Sequence, residues 1–134
     1  MDNIQLPITA LFTAISALLF FVLAVVVVVN RARTNVSIGD GGDDRLALTI
    51  RIFGNFIEYV PITLVLMAVV EINGAAIWQL YALGGLLVAG RLLHVVGLKA
   101  DKPITVCRVA GIAANWVAIL GGGVLALIQF LAVA

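Results

Sequence analysis

Three polar residues interrupt a long apolar stretch of the sequence at spacings that could place their chemistry on one surface. Arg51, Asn55 and Glu58 follow one another at intervals of four and three residues. On an α-helix these intervals put the three side chains on one face. A guanidinium, an amide and a carboxylate on one face predict either an internal ion pair or a site for a charged ligand.

Further polar residues lie in later apolar stretches. Arg91 and His94 are three residues apart, and Arg108 is followed by Asn115 seven residues later, so each pair again shares a helix face. One interpretation is a salt-bridge network that only holds the helices together. Against it, the three arginines at 51, 91 and 108 face a single carboxylate, and unpaired charges inside a membrane are costly. The charge excess favours an anionic ligand with carboxylates of its own.

Other reactive groups are scarce in the sequence. It has one histidine and one cysteine, Cys107, which are too few for a zinc site, and we predict no metal centre. The polar segment 30–44 contains glycines and aspartates but lacks the alternating ligands of a calcium loop, so we interpret it as a solvated turn. A formal net charge of +1 without a basic run argues against nucleic-acid binding.

The elements that must position these residues are long apolar segments. Of 134 residues, 63% are hydrophobic and 11% are charged, whereas soluble domains are about 25% charged. A soluble chain this small could not bury so much apolar surface, but lipid can solvate it. Crossing the hydrocarbon core takes about 20 helical residues. The sequence therefore predicts an all-α integral membrane protein, one domain over 1–134 with four transmembrane helices at roughly 6–29, 46–70, 75–98 and 104–133.

Basic residues in the connections predict the orientation of this four-helix bundle. Arg31, Arg33 and Arg45 flank the first connection, and Lys99 and Lys102 lie in the third. The second connection and both ends of the sequence contain no lysine or arginine. Because basic connections remain in the cytoplasm, we predict both termini outside. At about 1.5 Å of rise per residue, the charged residues within the helices then lie in the cytoplasmic half of the membrane.

Segment 51–61 (Arg-Ile-Phe-Gly-Asn-Phe-Ile-Glu-Tyr-Val-Pro) resembles the second helix of the MAPEG superfamily, the membrane-associated proteins in eicosanoid and glutathione metabolism. Two other parts are similar to bacterial members. One is Ser-Ile-Gly-Asp-Gly-Gly at 37–42, and the other combines Gly-Arg-Leu-Leu-His at 90–94 with Arg-Val-Ala-Gly at 108–111. The resemblance covers nearly the whole chain and implies a bacterial inner-membrane protein.

The resemblance implies a homotrimer of four-helix subunits that binds glutathione between neighbouring subunits, in a pocket open to the cytoplasm. The family's glutathione-contacting positions on the second helix match residues 51, 55, 58 and 59, and the polar pair of the third helix extends the set. Glutathione carries two carboxylates and one amine, which arginines and one glutamate complement. The residues expected to bind it as co-substrate are Arg51, Asn55, Glu58, Tyr59, Arg91 and His94.

The implied function is a glutathione-dependent transferase or peroxidase that acts on lipophilic electrophiles from the bilayer. Arg108 is the expected catalytic residue, because a cationic, poorly hydrated pocket stabilises the thiolate of bound glutathione. The sequence departs from the family at His94 and Leu98, where family enzymes often have tyrosine. A non-catalytic membrane binding or scaffold protein of the same fold is therefore an alternative. A small multidrug-type transporter fits less well, because its key carboxylate belongs in the first helix, which here has none.

Overall fold

A computed structural model describes residues 5–98 and 104–134 of the chain. Each of the four helices in this part is long and apolar enough to cross a membrane. The predicted all-α membrane architecture is therefore confirmed. The helices are α1 (Pro7–Thr34), α2 (Asp44–Ile72), α3 (Ile77–Gly97) and α4 (Val106–Leu131).

The helices end within a few residues of their predicted limits, except at the C-terminus of α1. This helix continues past residue 29 to Thr34, where Asn35 in the left-handed conformation (φ 53°) donates its N–H to the Arg31 carbonyl. Arg31 and Arg33 occupy the last turn, where cations interact favourably with the helix dipole. Basic residues thus extend the helix beyond its apolar run, so hydropathy alone places its end too early.

Side-chain caps determine where α2 and α4 begin. Asp43 Oδ1 accepts the Leu46 N–H at 2.7 Å, and Thr105 Oγ1 accepts the Arg108 N–H at 3.2 Å. Each cap satisfies a backbone donor that the first helical turn leaves without an intrahelical partner. The caps therefore fix the two helix ends nearest to Arg51 and Arg108.

Glycines bring α3 and α4 into backbone contact at the end of the bundle that contains Arg108. A Cβ at Gly111 would lie 2.6 Å from the carbonyl oxygen of Gly90 and 2.7 Å from the backbone nitrogen of His94. A Cβ at Gly97 would overlap the backbone of Arg108. Membrane helices use small residues for such close approach. The contact places His94 of α3 beside the first two turns of α4.

The opposite end of the bundle is tied by side chains that bond to helix termini. Glu71 of α2 accepts the N–H groups of Ile8 (3.0 Å) and Thr9 (2.8 Å) at the start of α1. Gln129 of α4 donates to the Val70 carbonyl at 3.1 Å. Backbone groups at helix ends need such partners where water is scarce. Next to these hydrogen bonds, the apolar interior is filled by Phe12, Met67, Val70, Leu80 and Leu83.

Candidate functional site

Arg91 of α3 is buried against α2. Only 3% of its surface is exposed. Its Nη1 donates to the backbone carbonyl of Asn55 at 3.0 Å, and its guanidinium lies over the Tyr59 ring, 4.8 Å from the ring centre. A hydrogen bond and a cation–π contact therefore fix the orientation of this arginine.

Another edge of the Arg91 guanidinium has no hydrogen-bond partner in the described part of the chain. Its Nε and Nη2 atoms are both buried there without an acceptor. These two nitrogens present parallel N–H groups, the geometry that binds both oxygens of one carboxylate. Buried donors without acceptors cost free energy, so these two N–H groups require a partner such as a water molecule, an ion or a ligand. The charge of Glu58 also acts on this arginine.

The Arg51–Asn55–Glu58 stripe of α2 is divided between the inside and the outside of the subunit. Asn55 is buried, and its Nδ2 donates to the Arg51 backbone carbonyl at 3.0 Å. The Arg51 and Glu58 side chains are 62% and 54% exposed, and their nitrogen and oxygen atoms approach to 3.9 Å. At 3.6 residues per turn, Asn55 lies about 60° around the helix from Glu58. That angle is enough to turn the amide inward and leave the two charges on the surface.

His94 lies inside the subunit, near enough to arginines of three helices to be influenced by their charges. It is 2% exposed, and the charges of Arg91, Arg108 and Arg51 all act on it. Arg108 is half-buried in the first turn of α4. From the sequence we predicted that these residues lie in the same half of the membrane, and therefore at the same end of the helix bundle. The structure brings them together there, with His94 and Arg91 inside the subunit and Arg51 at its surface.

Two contacts of the site were not predicted from the sequence. The Trp116 Nε1–H donates to the Tyr59 hydroxyl at 3.4 Å, which links α4 to the ring beneath Arg91. The first connection also folds back over α2, where Gly39 and Asp40 line a cleft of about 290 Å³ next to Arg51. Glycines and aspartates indicate a turn, but they do not show which helix that turn contacts.

Apolar clefts open on the surface at both ends of α4. One of about 390 Å³ lies at its start and is lined by Ile104, Thr105, Val106, Val109 and Ala110. Of these residues, Val106 lies two positions before Arg108 and Val109 lies one position after it. A larger groove of about 550 Å³ lies between α3 and α4, beside Trp78 and Ile128. Because this groove lies toward the opposite end of both helices, the cleft at the start of α4 is the nearer of the two to Arg108.

Known proteins have sequences similar to that of this chain. The MAPEG family model matches residues 9–128. The inner membrane protein YecN of Escherichia coli (strain K12) is 41% identical over 113 residues, which cover 84% of this chain and 85% of YecN. YecN of Escherichia coli O6:H1 (strain CFT073) matches to the same extent. No solved structure matches. A family match over most of the chain and a relative of this similarity show that the chain belongs to the MAPEG family.

Proposed function

We propose that this protein is a glutathione-dependent membrane enzyme, a transferase or peroxidase that acts on lipophilic electrophiles. The observation that carries the proposal is the buried Nε and Nη2 edge of Arg91, which has no acceptor among residues 5–98 and 104–134 and lies close to the exposed Arg51–Glu58 pair. Membership of the MAPEG family, whose name includes glutathione metabolism, supports the choice of ligand.

The charges of the site complement those of glutathione. Arg51 and Arg91 are the proposed partners of its two carboxylates, and Glu58 is the proposed partner of its amine. Asn55, Tyr59 and His94 complete the proposed binding set, because their side chains lie among these charges. The Arg91 edge is closed to solvent in a single subunit, so a carboxylate reaches it only when neighbouring side chains move.

Catalysis requires the glutathione thiolate next to an apolar substrate. Arg108 is the proposed partner of the thiolate, and the cleft at the start of α4 is a place for the electrophile. In the transferase reaction a sulfur–carbon bond forms as the bond to the leaving group breaks. In the peroxidase reaction two glutathione thiols are oxidised to the disulfide as a hydroperoxide is reduced to an alcohol and water. In both reactions the thiolate is the nucleophile.

The test of catalysis follows the thiolate absorbance of bound glutathione against pH, together with conjugate formation from a generic electrophile. We expect the bound thiol to have a lower pKa than free glutathione. Arg108→Ala should raise the pKa of the bound thiol and slow conjugation while changing affinity less. Arg33→Ala removes an exposed arginine at the same end of the bundle and should change neither.

The non-catalytic alternative predicts a different result in the same assay. A scaffold or binding protein would bind glutathione without lowering the pKa of its thiol, and no conjugate would form. That outcome would support the proposed glutathione-binding site and refute the proposed enzymatic activity. The sequence feature that supports this alternative is the presence of His94 and Leu98 where family enzymes often have tyrosine.

We also propose that the protein is a homotrimer in a bacterial inner membrane, with both termini outside and the site open to the cytoplasm. Two relatives are inner membrane proteins, and basic residues flank the first connection. Lys99 and Lys102, which also support the orientation, lie outside the described residues. A reporter that is active only outside the cytoplasm should be active when it is fused at Ala134. The mass of the protein in detergent should equal that of three chains. A cytoplasmic C-terminus or a stable monomer would contradict these proposals.

A further inference from the structure

The first connection is fixed to α1 by one arginine. Nη1 of Arg31 donates to the backbone carbonyls of Val36 (3.3 Å), Ser37 (3.1 Å) and Gly39 (3.0 Å). Hydrogen bonds from a charged donor are stronger than those between neutral groups. Arg31 therefore restricts the backbone of residues 36–39 relative to the end of α1.

The restricted loop forms one wall of the cleft beside Arg51. Gly39, with φ 70°, accepts a hydrogen bond from Arg31 and also lines the cleft. On the α2 side, a Cβ added at Gly54 would have no heavy atom within 4 Å, so this wall is open. With a volume of about 290 Å³, the cleft has room for a small ligand group. Its lining consists of Gly39, Asp40, Ala47, Ile50, Arg51 and Gly54.

The cleft is lined by one charged residue of each sign. Arg51 supplies the guanidinium, and Asp40 supplies a carboxylate whose Oδ1 accepts the Gly42 N–H at 3.0 Å. That hydrogen bond orients the carboxylate while leaving the side chain exposed. A cation and an anion in one cleft complement a carboxylate and an ammonium on one carbon atom, the charge pattern of an α-amino acid.

We infer that Asp40 is a specificity-determining residue that accepts a hydrogen bond from the ammonium group of an α-amino-acid ligand end, and that Arg31 is the positioning residue that holds it there. The inference rests on the proposed function, under which this end is the γ-glutamyl group of glutathione. An ammonium group has three N–H donors, so Asp40 acts in addition to Glu58.

The test compares two ligands that differ only in the ammonium group. Glutathione and glutaryl-cysteinylglycine, which lacks that group, are each titrated calorimetrically into the purified full chain. The measured quantity is the dissociation constant of glutaryl-cysteinylglycine divided by that of glutathione, which expresses the preference for glutathione. Asp40→Asn should reduce the preference for glutathione by about tenfold, the effect of one charge-assisted hydrogen bond. Arg31→Ala should reduce the preference in the same direction, because the loop no longer holds Asp40.

Two matched variants control for net charge at this end of the bundle. Asp44→Asn removes a neighbouring carboxylate that does not line the cleft, and Arg33→Ala removes a neighbouring arginine; both should keep the parent's preference. A change in folding alone would weaken the binding of both ligands equally and leave the ratio of their dissociation constants unaltered. The ratio therefore separates recognition of the ammonium group from a general structural effect.

The outcomes distinguish failure of the inference from failure of the proposed function. If Asp40→Asn retains the parent's ratio while Glu58→Gln loses it, the inference is wrong and the proposed function stands. If Asp44→Asn lowers the ratio as much as Asp40→Asn, the effect is one of net charge and the inference is again wrong. A parent protein that binds neither ligand contradicts both.

Discussion

At the scale of single residues, the chemistry of the site depends on how the guanidinium groups are held. Arg91 uses one nitrogen for the Asn55 carbonyl and one face for the Tyr59 ring. Its Nε and Nη2 atoms are the part of the group that could bind both oxygens of a carboxylate. Lysine is a point charge without this planar edge, so the arginine at this position has a function that charge alone does not supply.

Arg91→Lys tests that function. The variant keeps a positive charge but cannot form two parallel hydrogen bonds, so glutathione affinity should fall roughly ten- to a hundredfold. Isothermal titration of purified protein measures the change, and thermal unfolding without ligand shows whether the variant is folded. If Arg91→Lys binds glutathione like the parent, the edge is not used for a carboxylate and Arg91 only links α3 to α2.

Sequence spacing predicted which residues of the site are near one another, but not which of them are buried. The intervals between Arg51, Asn55 and Glu58 place them on one side of α2. Most other residues of that helix are apolar, so hydropathy does not reveal which arc of that side faces protein. The burial of Asn55 and the exposure of both charges are determined by packing against α3, where Arg91 bonds to the Asn55 backbone.

At the scale of helices, the glycine contact between α3 and α4 determines where along α4 the site residue His94 lies. Length and hydropathy were sufficient to predict four spans, because an apolar run long enough to cross the membrane is a strong signal. They could not predict that the first connection contacts α2. Turn residues such as Gly39 and Asp40 specify local backbone angles, whereas the contact depends on Arg31, five to eight residues earlier than the carbonyls it binds.

Gly111→Ala should destabilise the bundle. The added Cβ would lie 2.6 Å from the Gly90 oxygen and 2.7 Å from the His94 nitrogen, and both are backbone atoms that cannot rotate away. Overpacking of this kind costs about 1–3 kcal/mol. Gly123→Ala is the matched control, because a Cβ at Gly123 would have no heavy atom within 4 Å. Unfolding in denaturing detergent should show a loss for the first variant and no loss for the second.

At the scale of the whole molecule, a single subunit leaves charged groups at the depth of the membrane. Arg51 lies two turns into α2, and Glu58 lies two turns further, yet both are more than half exposed. Charged side chains within a span normally face protein or a water-filled cavity. Their position on the subunit surface favours an assembly in which a neighbouring subunit covers this face, as the proposed homotrimer would.

Glutathione binding by the surface charges of α2, Arg51 and Glu58, is the basis of the proposed function. Calorimetric titration of the purified protein with glutathione tests it most directly, using the parent, Arg51→Ala and Glu58→Ala. Arg45→Ala is the control, because this exposed arginine lies in the first turn of α2 outside the site. We expect the parent and Arg45→Ala to bind equally. Arg51→Ala and Glu58→Ala should each bind roughly ten- to a hundredfold more weakly while still assembling. Binding by both at the parent's affinity, or no binding by the parent, would contradict the claim.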